Sequence, residues 1–204
     1  MICVAINTPT GAIMKRPIML WMTSRSRSSM VSAIFIAHGV WWGDTHKKIS
    51  GYETNENQNI KVLLQKYKAK HWKKIHLTPV SPKWNNQFCK DLEKIVPANK
   101  QWMSKTGVEY FPAFVDLNPY NIFIYRRPED VAKSLNDKRV DVQYRDALHA
   151  AKWRFKYMKQ LQEQHGGVFV NTDEVIKGDF TSIRDAIEYC GLTFDEEATK
   201  GAII

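Results

Sequence analysis

The chain has 204 residues, with 30 Lys and Arg against 21 Asp and Glu and a formal net charge of +9. That length suits one domain, and the charge calls for anionic partners: a nucleotide, a sulfated or phosphorylated acceptor, or nucleic acid. No apolar run reaches the ~18–20 residues that span a bilayer. The cysteines Cys3, Cys89 and Cys190 form neither a disulfide framework nor a metal pattern, which favours a reducing, cytoplasmic setting.

Residues 1–16 show no basic leader and no signal-type cleavage site. Met1–Ile6 reads as an extra strand and Thr8–Gly11 as a turn. Pro17–Thr23 is mostly apolar and reads as a buried strand. A polar loop, Ser24–Ser29, follows it. Met30–His38 is strongly apolar and reads as a buried helix ending near Gly39. Trp41–Glu56 is polar and contains Gly, hence loop. Ile60, Leu63, Leu64 and Tyr67 space a helix over Asn57–Lys70. The basic stretch Lys61–His76 is either the solvated face of that helix or a surface for an anionic acceptor.

Ile75–Val80 reads as a strand, and Ser81-Pro82 opens a helix to about Ile95. Gln101–Lys105 reads as a short strand, Tyr110–Leu117 as a short helix and Asn121–Tyr125 as a strong strand. Pro128 starts the next helix, with Glu129 and Asp130 favourably placed in its first turn. Asp141–Gln164 is a long amphipathic helix stopped by Gly166-Gly167. Val168–Asn171 is a strand and Phe180–Cys190 a last helix. Strands alternating with helices predict a mostly parallel sheet covered on both faces.

The chemistry concentrates at the first strand-loop-helix unit. Loop N–H groups and a helix N-terminus there would face an anion. Arg25 and Arg27, with Ser24, Ser26, Ser28 and Ser29, stand where that anion would lie. The competing reading is a Ser/Arg-rich surface turn before a core helix. The G-x-x-x-x-G-K-[S/T] loop of nucleotide hydrolases is absent, which argues against ATP or GTP hydrolysis.

The run Arg25-Ser26-Arg27-Ser28-Ser29 resembles the R/K-S-G-T-T/S loop of sulfotransferases that use 3′-phosphoadenosine 5′-phosphosulfate (PAPS). A second block, Asn121 to Ser134, is similar to that family's strand, R-x-P-x-D-v-x-x-S and helix. A third, Val168–Leu192, resembles its late strand, acidic turn and helix. The resemblance covers Pro17 to about Leu192. It implies a P-loop-type three-layer α/β sandwich, as one domain over 1–204 with 1–16 as an added strand and turn.

The resemblance further implies sulfuryl transfer from PAPS to a hydroxyl or amine, on a small-molecule or glycan acceptor. The released product is 3′-phosphoadenosine 5′-phosphate, and no metal is required. By position, Arg25, Ser26, Arg27, Ser28 and Ser29 hold the 5′-phosphosulfate, and Arg126 and Ser134 the 3′-phosphate. Arg25 is assigned to charge stabilisation at the leaving phosphate. Trp102–Thr106 resembles a family segment ending in K-T, which makes Lys105 a further catalytic candidate; the alternative is an ordinary surface lysine.

Two departures stand out. Arg27 replaces the family's Gly, where positive φ and close backbone approach are allowed. Gly107 stands where some members have the His of a K-T-H run. Other members use a carboxylate downstream of the phosphate loop, so Asp44 and His46 are the candidate bases, against a plain polar loop. His38 is assigned a structural role. Trp41 and Trp42 either line an acceptor pocket or cover the core. Lys200-Gly201 faintly resembles a late basic segment of the family. The rival readings are a non-catalytic relative that binds a nucleotide or anion, and a basic nucleic-acid-binding domain. Against the latter, the basic residues interleave with no recognition motif.

Overall fold

A two-stranded hairpin begins the described chain: β1 (Ile6–Asn7) pairs antiparallel with β2 (Ile13–Met14). The structure, a computed structural model, describes residues 6–7, 13–43, 48–49, 52–53, 57–71, 82–139 and 141–203. The strand β3 (Ile18–Met22) leads through a tight loop into helix α1 (Ser28–Ala37). A second small hairpin, β4 (Lys48–Ile49) with β5 (Tyr52–Glu53), precedes helices α2 (Gln58–His71) and α3 (Pro82–Glu93). Then come β6 (Met103–Gly107), two 3-10 helices (Val108–Ala113 and Val115–Leu117) and β7 (Tyr120–Tyr125). Helices α4 (Pro128–Lys138) and α5 (Tyr144–His165) lead to β8 (Val168–Asn171). Three shorter helices follow: α6 (Thr172–Val175), α7 (Thr181–Tyr189) and α8 (Glu196–Ala202).

The central sheet has the order β6-β3-β7-β8 and every pairing in it is parallel. Leu20 lies opposite both Lys105 and Ile122 in register. Strand alternation sorts the core into two layers. Ile18, Leu20, Ile122, Ile124 and Val170 face one side, where Val31, Ile34 and Phe35 of α1 and Ile183, Ala186 and Ile187 of α7 cover them. Met19, Trp21 and Phe123 face the other, under Ile60 and Leu64 of α2, Phe88 and Leu92 of α3, and Met158 and Leu161 of α5. The three-layer α/β sandwich expected from the sequence is the observed fold. The buried indole of Trp21 donates to Asn121 Oδ1 at 2.9 Å, so the polar atoms of this central pair are satisfied.

Several elements differ from expectation. The first helix starts two residues early, at Ser28. The 41–56 stretch is more than loop: Trp41 donates to Gln101 O (2.8 Å) and accepts from Met103 N (3.0 Å). It thereby extends the sheet edge beside β6, and β4–β5 follows. The predicted helix over Tyr110–Leu117 is two 3-10 helices, because Pro112 lacks the N–H that an α-helix interior needs. Helices α6 and α8 are additions. Asn171 Oδ1 caps α6 through Asp173 N (3.2 Å), and Asp195 caps α8 through Ala198 N (3.0 Å). The predicted strand Ile75–Val80, the turn Thr8–Gly11 and residues 1–5 of the first predicted strand lie outside the described residues; its last residue, Ile6, begins β1. Among the described residues no helix is long and apolar enough to cross a membrane.

Candidate functional site

The chain runs from β3 to β6 on one side, then crosses to β7 on the other. Such a reversal opens a crevice at the carboxyl ends of the strands. The loop Thr23–Arg27 sits at that reversal. It makes a tight turn, with Ser26 N donating to Thr23 O at 3.3 Å. Arg25 and Arg27 are left-handed, at φ 66° and φ 60°. Such a conformation strains a non-glycine residue, so the Gly-type backbone at position 27 is kept although the residue is Arg. No side chain caps α1 and its first turn holds no acid. An anion there would meet N–H groups and the positive end of the helix dipole.

The residues singled out in the sequence converge on this loop. Arg25 Nε donates to Ser134 Oγ at 3.1 Å. Arg126 Nη1 donates to Arg25 O at 2.9 Å. Lys105 Nζ donates to Ser29 Oγ at 3.0 Å, which ties the end of β6 to the first turn of α1. Ser26 is buried and its Oγ has no hydrogen-bond partner. Ser28 is buried and its carbonyl accepts from Ser32 Oγ at 2.8 Å. Asp44 and His46 lie outside the described residues.

Asp173 is the residue that sequence reasoning passed over. Its Oδ1 pairs with Arg27 Nη1 and lies 3.8 Å from Arg126 Nε, and its Oδ2 accepts from Arg127 N at 3.2 Å. The neighbouring Thr172 is fully buried. Its Oγ1 reaches Ser26 O (3.2 Å) and Tyr125 O (3.0 Å), fastening the loop to the end of β7. The acidic turn after β8 carried the signal for both residues. Among the described residues, four cations, Arg25, Arg27, Arg126 and Lys105, border the loop, with the Asp173 carboxylate against Arg27 and Arg126 and the Asp130 carboxylate also acting on both arginines. Burial, then the charge of Arg27, pushes the Arg126 guanidinium below its ordinary range. An incoming anion would relieve that repulsion.

A cavity of about 170 Å³ opens beside Lys105, lined from the ends of β3 and β6 and from helix α2. Asn57, Lys61, Leu64, Lys105 and Tyr110 are among its walls. Trp41 and Trp42 are not; they pack on the two core layers. The Glu109 carboxylate lies over Gly107, where an added Cβ would fall 2.4 Å from Oε2, and sits 3.9 Å from Arg154 Nε. His38 is structural: Nδ1 bonds Ile34 O (2.8 Å), Nε2 accepts from Asp195 N (3.0 Å), and the ring stacks on Phe194. Lys200 lies in α8 and pairs with Glu197 (2.8 Å) and Glu196 (3.0 Å). Among the described residues no group of His, Cys, Asp and Glu has metal-site geometry.

No protein-family model matches the chain, and no curated protein matches it by sequence. Solved structures do match. A sulfotransferase of Mycobacterium tuberculosis H37Rv is similar over 95% of this chain and 72% of its own, with 12% identity and a TM-score of 0.64. The sulfotransferase domain of the Synechococcus PCC 7002 olefin synthase is similar over 93% and 78%, with 13% identity and a TM-score of 0.50. At these identities the likeness shows the fold, an α/β sandwich of the sulfotransferase P-loop type.

Proposed function

We propose that the protein is a sulfotransferase that uses PAPS and acts on a hydroxyl or amine of a small-molecule or glycan acceptor. The observation that carries the reading is the convergence of Arg25, Lys105, Arg126 and Ser134 on one uncapped helix N-terminus. The residues fit the donor. The first turn of α1 suits a 5′-phosphosulfate, Ser26 Oγ is a buried hydroxyl without a partner, and among the described residues cations outnumber carboxylates around the loop. When bound, PAPS supplies the sulfuryl group and is released as the 3′,5′-bisphosphate.

The chain's own residues then have distinct tasks. Ser26, Ser28, Ser29 and the loop N–H groups orient the 5′ end. Arg126 and Ser134 hold the 3′-phosphate and so select against plain nucleotides. Arg25 and Lys105 stabilise negative charge growing on the leaving phosphate. Arg27 keeps Asp173 engaged at the loop's edge. Asp44 or His46 accepts the acceptor's proton.

The test is transfer of labelled sulfuryl from PAPS to a panel of phenols, sugars and amines. Arg25→Ala is expected to lower turnover roughly 10²-fold while weakening donor binding less. A folded protein that binds the donor yet transfers to nothing, with Arg25→Ala altering affinity alone, would favour a nucleotide-binding role.

A further inference from the structure

We infer that Asp173 is a positioning residue with two stations: its carboxylate holds Arg27 in the arrangement described above and passes to Arg126 when a ligand phosphate engages Arg27. The inference rests on the loop being a phosphate site, as the sulfotransferase reading has it, and does not need sulfuryl transfer.

Asp173 Oδ1 serves two guanidinium groups unequally. It pairs with Arg27 Nη1. The same oxygen lies 3.8 Å from Arg126 Nε, inside ion-pair range and beyond hydrogen-bond range. Arg126 Nε is buried and has no hydrogen-bond partner. One acceptor thus bonds the more exposed arginine and leaves the more buried one short. A buried donor without an acceptor costs stability, so the second station recovers free energy that the first forgoes.

Only side chains have to move. Asp173 N donates to Asn171 Oδ1 at 3.2 Å, and the fully buried Thr172 ties the adjacent backbone to Ser26 O and Tyr125 O. Asp173 Oδ2 accepts from Arg127 N at 3.2 Å and can act as the pivot. A turn that carries Oδ1 by about 1 Å brings Arg126 Nε into hydrogen-bond reach. Arg126 Nη1 meanwhile donates to Arg25 O at 2.9 Å, so its guanidinium would then be held from two sides. Electrostatics run the same way. Burial and then the charge of Arg27 disfavour the Arg126 cation, while Asp173 and Asp130 oppose them. A phosphate that neutralises Arg27 removes that repulsion and frees the carboxylate together.

The consequence is coupling between the two ends of the donor. A 5′-phosphate that draws Arg27 away orients Arg126 for a 3′-phosphate, and the coupling is reciprocal. An anion that enters at Arg27 alone must displace a carboxylate, which penalises ligands that bind by that end only.

Arginine Nε–H resonances of the 15N-labelled protein read the switch, with the Arg126 signal assigned by its loss in Arg126→Lys. Arg27→Gly suits the left-handed backbone at that position and removes the first station. Without any ligand, this variant is expected to show the Arg126 Nε–H signal moved downfield and exchanging more slowly with water. Adenosine 3′,5′-bisphosphate at saturation should move the wild-type signal in the same direction, and Asp173→Asn should abolish both effects. By calorimetry, Asp173→Asn should bind AMP about tenfold more tightly and the bisphosphate by a smaller factor, so the preference for a 3′-phosphate narrows. A residue that merely held the fold would weaken both ligands alike. An Arg126 signal that neither Arg27→Gly nor the bisphosphate moves, or an Asp173→Asn protein with the wild-type preference, would overturn the proposal. If Arg27→Gly moves the signal and neither nucleotide binds, the two-station carboxylate stands and the donor reading falls. If the bisphosphate binds in preference to AMP and the signal stays put, the reverse holds.

Discussion

Arg25 Nε donates to Ser134 Oγ at 3.1 Å, across 109 residues of chain. This bond joins the loop after β3 to the second turn of α4. The adjacent bond from Arg126 to the Arg25 carbonyl locks the same pair of segments. Two strand-loop-helix units are thereby tied into one surface.

Arg126→Ala should remove a charge-assisted contact worth about 1.5–3 kcal/mol. Affinity for adenosine 3′,5′-bisphosphate is expected to fall about tenfold or more, with an unchanged circular dichroism spectrum. Ser134→Ala should act in the same direction and more weakly. If both variants hold the bisphosphate and AMP as wild type does, these residues do not bind a 3′-phosphate.

The Asp173 carboxylate sits among the loop's cations, pairing with Arg27 and lying near Arg126. Asp173→Asn leaves the arginines repelling one another, so the ligand-free protein should melt lower, by about 1–3 kcal/mol of stability. The bisphosphate should raise its Tm by more than it raises that of wild type. A thermal-shift series compares the two; an equal or smaller increment refutes the electrostatic account of the loop.

Thr172→Val removes the buried hydroxyl that fastens Ser26 O and Tyr125 O. Leaving those carbonyls short of a partner should cost about 1–3 kcal/mol in urea unfolding. A value near zero would mean water replaces the hydroxyl.

Away from the site, the Tyr67 hydroxyl donates to Asp91 Oδ2 at 2.8 Å. This bond, helped by Lys94, holds the Asp91 carboxyl below the usual carboxylate range. A depressed native value stabilises the fold above that range, and the contribution is lost as pH falls through it. Burial and Asp91 push the Tyr67 phenol well up. That contribution is complete below about pH 10 and declines as pH rises beyond it. Tm against pH should therefore fall at both ends. Asp91→Asn should flatten the acid limb and Tyr67→Phe the alkaline one.

Much of this was legible in the sequence. Ile18–Met22 and Tyr120–Tyr125 are buried on both faces, so they read as unbroken apolar runs. The polar loops at their carboxyl ends then stood out as Arg25 to Ser29 and Arg126 to Ser134. The acidic turn after β8 marked the neighbourhood of Asp173, but α6 spans only four residues, too few for any period to show which way it faces. Asn57 reads as the first residue of a helix; that its amide would be buried against Gly43 depends on contacts the sequence does not display. The edge contact of Trp41 with Trp102 is likewise tertiary, formed between segments with no shared pattern.

The most direct test of the central claim is calorimetric titration of the purified protein with adenosine 3′,5′-bisphosphate and, in parallel, with AMP. The expected result is one site for the bisphosphate and at least about tenfold weaker binding of AMP. At ligand about 100-fold above Kd, stability should rise roughly 2.7 kcal/mol, or about 5–10 °C in Tm for a chain of this size. Equal affinity for the two nucleotides, or binding of neither by the folded protein, would contradict the sulfotransferase reading at its root.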